Sequence, residues 1–309
     1  MCRLPIARVL SSRVVLAVAL VCLPPRDAAG QDNRWLTTIG ELRLPSTVGQ
    51  PPTYYSLGSQ DRALYLQRRL ADAMRFFRDS LGVTTDVRLA VLSREHWDRL
   101  QPTDFGFPGN VGPAPWVIRM PASGENASAG ILAQLRERAP RDLWRRLDST
   151  GMTPEQLTLR HLDFVLFHEL GHVLLRERLG IRWAAPWFQE FLATYLMYAY
   201  VEPMHADWAR SFDAWDDLVF ATARTDHTTL AGFSGPLTRD ETRLWFYSSV
   251  GKRVRACFRT RGLGLVSVLR ERLPASEGHE MEINELLARV EPLCPGTTRW
   301  AADMRSTGE

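Results

Sequence analysis

The stretch that most constrains the fold is 164–180, "FVLFHELGHVLLRERLG", where two histidines and a glutamate interrupt an apolar run. His168 and His172 stand four positions apart, and Glu169 directly follows the first of them. Four positions span about one turn of an α-helix, so the two imidazoles project side by side from one face. Because unpartnered titratable groups are costly among apolar neighbours, the stretch predicts a buried helix whose polar residues share a partner.

A divalent metal ion would be a suitable partner for these side chains. Two imidazoles at this spacing can share one Zn²⁺ at about 2.0–2.1 Å each. Glu169 is turned by about 100° from His168, so it flanks the metal as a general base rather than binding it. This H-E-x-x-H arrangement is typical of metalloproteases. Gly171 costs about 1 kcal/mol inside a helix, which indicates a close backbone approach. The alternative is a pair of core histidines without a metal.

A catalytic zinc site needs a third protein ligand and an open fourth position. The downstream segment "APWFQEFLATYLMYAY" predicts a second helix over 187–201. Glu190 lies in its first turn and is the only carboxylate of this apolar helix before Glu202. We interpret Glu190 as the third ligand, which completes a His₂Glu site with His168 and His172. The alternative is a glutamate that only interacts favourably with the helix dipole.

Together these two motifs resemble those of the gluzincin zinc metallopeptidases, which include thermolysin-like, aminopeptidase N-like and peptidase MA-like domains. The second motif of that family contains tryptophan, glutamate, alanine and an aromatic residue at fixed spacing, matched here by Trp187, Glu190, Ala193 and Tyr195. Phe191 departs from the glycine that is common in the family. The resemblance covers residues 154–201, and it implies a general base at Glu169 and zinc ligands at His168, His172 and Glu190.

In the aminopeptidase-like branch of that family, a tyrosine on a downstream helix helps to stabilise the oxyanion of the transition state. "WFYSSVGKRVRACF" is similar to the start of that helix, and the resemblance implies this role for Tyr247. Two alternatives stay open. Tyr247 could be an ordinary core residue, and His227 in "RTDHTTLAGF" could be the donor instead.

Two further features near these motifs have competing interpretations. "WVIRMP", residues 116–121, is predicted as a strand that could pair with an extended peptide if it lies at a sheet edge, and the alternative is an internal strand. His161 lies seven residues before His168 on nearly the same helix face. We interpret it as a polar residue that points toward solvent rather than as part of a second metal site.

Periodicity along the chain predicts an α+β fold with two lobes. Residues 31–60 are interpreted as an extended lead-in, a helix follows over 61–82 with Asp61 as its cap, and strands are predicted near 87–91 and 116–121. Residues 101–115 are dense in glycine and proline and are predicted to be a loop. Helical periodicity dominates afterwards, over 129–138, 140–148, 154–179, 187–201, 206–223, 239–260, 262–273 and 281–291.

We therefore divide the chain into a signal peptide and two lobes. The first lobe, 31–150, is small and mixes strands with helices. The second lobe, 151–309, is mainly helical and carries the predicted zinc site at the cleft between the lobes. Strand–helix alternation is too sparse for a doubly wound sheet.

The N-terminus predicts a secreted or periplasmic protein. Three arginines precede a short apolar run, 14–23, and small residues allow cleavage after Gly30. An uncleaved anchor is the alternative, but the run is short for a bilayer. Removal of residues 1–30 leaves 34 cationic and 34 anionic side chains, so no basic surface argues for nucleic acid, and no stable membrane insertion is expected.

Cleavage would leave two cysteines, Cys257 and Cys294. In an oxidising compartment such a pair is most simply a disulfide, and the alternative is two buried thiols. The function expected from these observations is a secreted peptidase that hydrolyses peptide or protein substrates through a zinc-activated water, with Glu169 as general base. Two alternatives are a zinc-retaining binding or scaffold domain without activity, and a hydrolase of a non-peptide amide. Oligomeric state is not readable from the sequence.

Overall fold

The computed structural model describes residues 34–100, 105–112, 114–124, 127–177, 179, 185–223, 225, 229–234, 240–272 and 283–306. The fold is α+β, with a small sheet and predominantly helical structure. The predicted signal peptide at 1–30 lies outside the described residues. Among the described helices, none combines the length and the apolar character that a membrane span requires.

A four-stranded sheet is formed by β1 (Thr53–Tyr55), β2 (Val87–Leu92), β3 (Gly109–Val111) and β4 (Trp116–Pro121). The strand order is β1-β2-β4-β3. β2 is parallel to both β1 and β4, whereas β3 is antiparallel to β4. The two predicted strands correspond to β2 and β4. The prediction of an extended lead-in was wrong at the helix Arg34–Glu41, and it did not recognise β1 as a strand. The prediction of a loop was wrong at β3, because three-residue strands carry too little periodicity to be recognised.

β4 is an internal strand, so the interpretation of "WVIRMP" as a possible sheet edge is wrong. It pairs with β2 on one side and with β3 on the other. Five of its six residues are buried, which agrees with an internal position in the sheet. β3 is the strand at this edge, and in its register Asn110 lies opposite Ile118.

Thirteen helices are described, and they include all eight that periodicity predicts after residue 129, with ends shifted by at most three residues. The short helices α1, α9 and α13 were not predicted. The helices are α1 (Arg34–Glu41), α2 (Gln60–Leu81), α3 (Arg94–Leu100), α4 (Ala127–Arg138), α5 (Arg141–Asp148), α6 (Pro154–Glu177), α7 (Pro186–Met204), α8 (Ala206–Thr222), α9 (Leu230–Ser234), α10 (Asp240–Arg261), α11 (Gly264–Arg272), α12 (Ile283–Val290) and α13 (Thr297–Ser306).

Local signals define the start of α6, the helix that carries the H-E-x-x-H motif. The backbone N–H of Thr153 donates to Gln156 Oε1 at 2.9 Å, and the N–H of Gln156 donates to Thr153 Oγ1 at 3.3 Å. This reciprocal capping box satisfies amides that the first turn leaves free, as predicted for Thr153. The predicted cap of α2 at Asp61 was wrong, since Ser59 takes that position.

Helices α6 and α7 approach each other closely at Gly171. A Cβ built on Gly171 would lie 2.8 Å from the carbonyl oxygen of Ala193, in the backbone of α7. Such a contact leaves no room for a side chain, so glycine is required despite its cost in a helix. The predicted close approach at Gly171 is thus confirmed, and it brings α7 against α6.

One large apolar core packs the sheet against the helices. It contains β2 and β4 residues such as Leu89 and Ile118 together with α6 and α7 residues such as Phe167 and Phe191. Residues 33–309 form one compact unit by their mutual contacts. The boundary near residue 150 stays a prediction about where the character of the chain changes.

The cysteine pair lies in the C-terminal part of this unit. The Sγ atoms of Cys257 and Cys294 are 2.25 Å apart and their Cα atoms are 5.3 Å apart. Both residues are buried. The bond joins α10 to the turn that precedes α13, which is the pairing predicted from the sequence.

Candidate metal centre

The two motif histidines lie side by side on one face of α6. The ring centroids of His168 and His172 are 4.6 Å apart, and the rings are nearly perpendicular, at 88°. Both side chains are buried, as is Glu169. One potential ligand atom from each of the three residues lies within 4.8 Å of the other two. The helical spacing therefore places three potential metal donors in one small volume.

Glu190 reaches these histidines from α7. Its Oε2 atom is 2.9 Å from His168 Nε2 and 3.4 Å from His172 Nε2. Two ligands bound to zinc at tetrahedral angles are about 3.3 Å apart, given bonds of about 2.05 Å. The two separations lie on either side of that value, so the carboxylate oxygen of Glu190 is near enough to each nitrogen to share a metal ion with it.

The second nitrogen of His168 is held by Thr194, one turn after Glu190 on α7. His168 Nδ1 and Thr194 Oγ1 are 3.1 Å apart, and both side chains are buried. This hydrogen bond fixes the ring and leaves Nε2 directed at Glu190. Metal-binding histidines usually have such a partner for their other nitrogen. The sequence places Thr194 on the same face as Glu190, but only the structure shows its contact.

The charges of Glu190 and the histidines stabilise each other. Burial alone would lower the pKa of His172, but the negative charges of Glu190 and Glu169 outweigh it, so the pKa is raised. Burial alone would raise the pKa of Glu190, but His172 and His168 hold it well below its usual value. Glu190 is therefore an anionic donor at neutral pH, as a zinc ligand must be.

Glu169 also contacts the edge strand β3. The side-chain amide of Asn110 donates a hydrogen bond to Glu169 Oε2. Asn110 Oδ1 in turn accepts a hydrogen bond of 2.8 Å from Arg176, one helical turn after His172. The amide of Asn110 is thereby fixed in orientation, with its N–H group toward Glu169. Sequence reasoning missed Asn110, because its segment was predicted as loop and no local pattern connects it with α6.

Tyr247 on α10 also lies at this site. Its ring centroid is 6.0 Å from that of His168, with perpendicular planes. Although 37% of the residue is exposed, its hydroxyl group is desolvated. That desolvation, with the negative charges of Glu190 and Glu169, raises the pKa of Tyr247 well above its usual value. The other candidate donor, His227, lies outside the described residues.

A cavity of about 190 Å³ opens beside the predicted metal ligands. His168, Glu169 and Tyr247 line one part of it, and apolar residues of α6 and α8 line another. His161 also lines this cavity, and its ring stacks on Phe212 and Trp215 with centroids 5.2 and 4.3 Å away. The interpretation of His161 as a solvent-facing residue was therefore wrong, because α8 covers that face of α6.

No protein-family model matches the chain, and no curated protein matches it.

Proposed function

We propose that this protein is a zinc-dependent peptidase with His168, His172 and Glu190 as metal ligands and Glu169 as general base. The observation that carries the proposal is that Glu190 Oε2 on α7 lies 2.9 Å from His168 Nε2 and 3.4 Å from His172 Nε2 on α6, close enough to share one metal ion with them. Glu190 is preferred to Glu169 as third ligand because its oxygen lies against both nitrogens, whereas Glu169 is bound by the amide of Asn110.

Bound zinc would polarise the scissile carbonyl group and activate the attacking water. The carboxylate of Glu169 would accept a proton from that water and return it to the nitrogen of the leaving amine. Asn110 holds Oε2 of Glu169, so the transfer would use the other carboxylate oxygen, Oε1. His₂Glu sites of catalytic zinc enzymes combine three protein ligands with a position open to substrate.

Tyr247 is suited to donate a hydrogen bond to the oxyanion that develops on the scissile carbonyl. Its raised pKa keeps the hydroxyl protonated at neutral pH. A donor that is already in place beside the reacting group lowers the activation barrier, because no reorganisation is needed in the transition state. The position of Tyr247 next to His168 supports this role.

The substrate would bind between the sheet and the helices of the C-terminal part. β3 pairs only with β4 among the described strands, so its other side can form backbone hydrogen bonds with an extended peptide. Asn110 on β3 contacts Glu169 on α6, so a peptide beside β3 would pass the general base. We thus propose β3, in place of the strand at 116–121, as the peptide-binding edge.

Purified protein provides the first test. Because a signal peptide is predicted, the protein is prepared from a secreted or periplasmic fraction. We expect about one zinc per chain by elemental analysis. Glu169→Gln should abolish hydrolysis of a varied peptide library while zinc content is kept. The matched control is Glu285→Gln, which makes the same chemical change in a surface ion pair with Arg289 and should leave activity intact.

The same experiment separates the rival functions. Protein that binds zinc but cleaves no peptide would support a binding or scaffold domain, and cleavage confined to non-peptide amides would identify a different hydrolase. Loss of zinc in the Glu169→Gln variant would contradict the division of roles between Glu169 and Glu190.

A further inference from the structure

The cavity beside the predicted metal ligands extends into an apolar chamber. Its walls are formed by Leu162, Val165, Met197, Phe212 and Trp215. The whole cavity, including the part beside the predicted metal ligands, has a volume of about 190 Å³, and an apolar cavity of about 150 Å³ is large enough to bind benzene. The cavity is therefore of a size that can accept an aromatic side chain next to the proposed site of hydrolysis.

Two titratable groups that line the cavity are uncharged near neutral pH. Burial lowers the pKa of His161 to about 3, so its ring is neutral. Burial raises the pKa of Asp216 to about 8. The guanidinium of Arg255 also lies 3.8 Å from the Asp216 carboxylate, although its closer ion pair is with Asp213.

Arg243 is the cation that lines this cavity. It lies on α10 four residues before Tyr247, which places the two side chains on one helix face about 6 Å apart along the axis. Its guanidinium lies 5.4 Å from the ring centroid of Phe107. Other cations of this part of the chain form ion pairs: Arg138 pairs with Glu241, and Lys252 pairs with Asp217. Among the described side chains, no carboxylate forms an ion pair with Arg243.

Arg243 adds a positive charge to those of the proposed metal centre. Glu169 and Glu190 would together balance one divalent cation. Among the described side chains that line the cavity, the positive charge of Arg243 then remains, and a guanidinium stays protonated at any physiological pH. Its planar group can bind a carboxylate through two parallel hydrogen bonds.

We infer that Arg243 and the apolar chamber form a specificity subsite for peptides that carry an aromatic side chain together with a carboxylate. The choice of a peptide as ligand rests on the proposed function. The carboxylate could be the C-terminus of a short peptide or the side chain of aspartate or glutamate, since Arg243 would bind both in the same way.

The test measures binding rather than turnover, with full-length zinc-loaded protein that carries Glu169→Gln. The probes are acetyl-Ala-Phe with a free C-terminus, its C-terminal amide, and amidated acetyl-Ala-Phe-Asp and acetyl-Ala-Phe-Asn. We expect at least one carboxylate peptide to bind about tenfold more tightly than its neutral counterpart, the range for a charge-assisted hydrogen bond. Which pair shows the preference identifies the source of the carboxylate.

The Arg243→Gln substitution should remove this preference and leave the affinity for the neutral peptides unchanged. Arg299→Gln is the matched control, because Arg299 is 88% exposed on α13, and it should retain the preference. Equal binding of acid and neutral peptides by the parent protein would overturn the inference. A preference that persists in Arg243→Gln would do the same, since the metal itself would then bind the carboxylate.

The chamber is tested with the same set of proteins. Replacement of Phe by Gly in the preferred peptide should weaken binding about tenfold or more, and unchanged affinity would contradict an aromatic pocket. Because binding is measured without turnover, a protein that selects these peptides but hydrolyses none would refute only the peptidase proposal. Hydrolysis of peptides regardless of charge and aromatic content would refute only the subsite.

Discussion

The side-chain amide of Asn110 donates a hydrogen bond to the carboxylate of Glu169, which joins the edge strand β3 to the helix of the H-E-x-x-H motif. Arg176 binds the oxygen of the same amide at 2.8 Å, so the amide group cannot flip without the loss of both contacts. The two residues are 59 positions apart in the sequence. Asn110 thus determines which way the proposed general base points, although it is not itself a reacting group.

Asn110→Ala should lower kcat about tenfold or more with a smaller change in KM, because Glu169 would lose its orientation but substrate contacts would remain. Zinc content and the melting temperature should change little. Steady-state kinetics with elemental analysis checks this. Arg176→Gln, which removes only the outer contact, should have a smaller effect on kcat. Equal losses in kcat and zinc content for Asn110→Ala would instead indicate a general disturbance of the site.

Thr194→Val should weaken zinc binding about 10- to 100-fold, the usual effect of removing the partner of a metal-binding histidine. Valine has nearly the same shape as threonine but cannot bind His168 Nδ1. Competition with a chromogenic chelator measures the affinity. The control is Thr222→Val in α8, where the hydroxyl donates to the carbonyl oxygen of Leu218 and lies outside the proposed metal centre. Identical zinc affinities for the two variants would show that Thr194 does not support His168.

Gly171→Ala should destabilise the protein by about 1–3 kcal/mol, the cost of an overpacked contact, and should weaken zinc binding. The new Cβ would meet Ala193 O at 2.8 Å and Ala193 Cα at 3.0 Å, and such backbone atoms cannot move without a shift of α7. That shift would carry Glu190 away from the histidines. Urea denaturation and zinc titration measure both effects.

Gly130→Ala is the matched control for that substitution. Gly130 also lies within a helix, α4, but a Cβ there would have nothing within 4 Å. Alanine should therefore stabilise the protein by up to about 1 kcal/mol through helix propensity. Stabilisation by both substitutions would mean that α6 and α7 are not in close contact at Gly171.

Asp216→Asn should change how stability depends on pH. Burial raises the pKa of Asp216 from 3.8 to about 8 despite the nearby positive charge of Arg255, so the folded state keeps a proton that the unfolded state releases. The free energy of unfolding of the parent protein should therefore decrease from about pH 4 to pH 8, by at most about 1.4 kcal/mol per pH unit from this group. The variant should lack that contribution.

Urea denaturation at pH 5, 6.5 and 8 checks this prediction. The free energy of unfolding of Asp216→Asn, relative to that of the parent protein, should increase as pH rises. Asparagine can still accept a hydrogen bond from Tyr198, whose hydroxyl lies 3.2 Å from Asp216 Oδ2. A difference that is constant across the three pH values would show that Asp216 is ionised in the folded protein.

Features that depend on local spacing were predictable from the sequence. The side-by-side arrangement of His168 and His172 follows from 3.6 residues per turn, and the start of α6 follows from the capping box of Thr153 and Gln156. The position of Glu190 in the first turn of an apolar helix made it a candidate ligand, and α7 indeed brings its Oε2 to both imidazoles. Gly171 indicated a close backbone approach, but the sequence did not identify the element that approaches.

Only the tertiary structure decided which distant segments meet these local motifs. Short strands such as β1 and β3 are stabilised by pairing with neighbours far along the chain, so their own residues carry little signal. For that reason β3 rather than β4 forms the sheet edge, Asn110 meets Glu169, and α8 covers His161. The sequence by itself determined, through helical periodicity, which residues are the candidate donors of the proposed metal centre. Packing between elements that are distant in the sequence determined the surroundings of these donors, because contacts across the core have no fixed spacing in the chain.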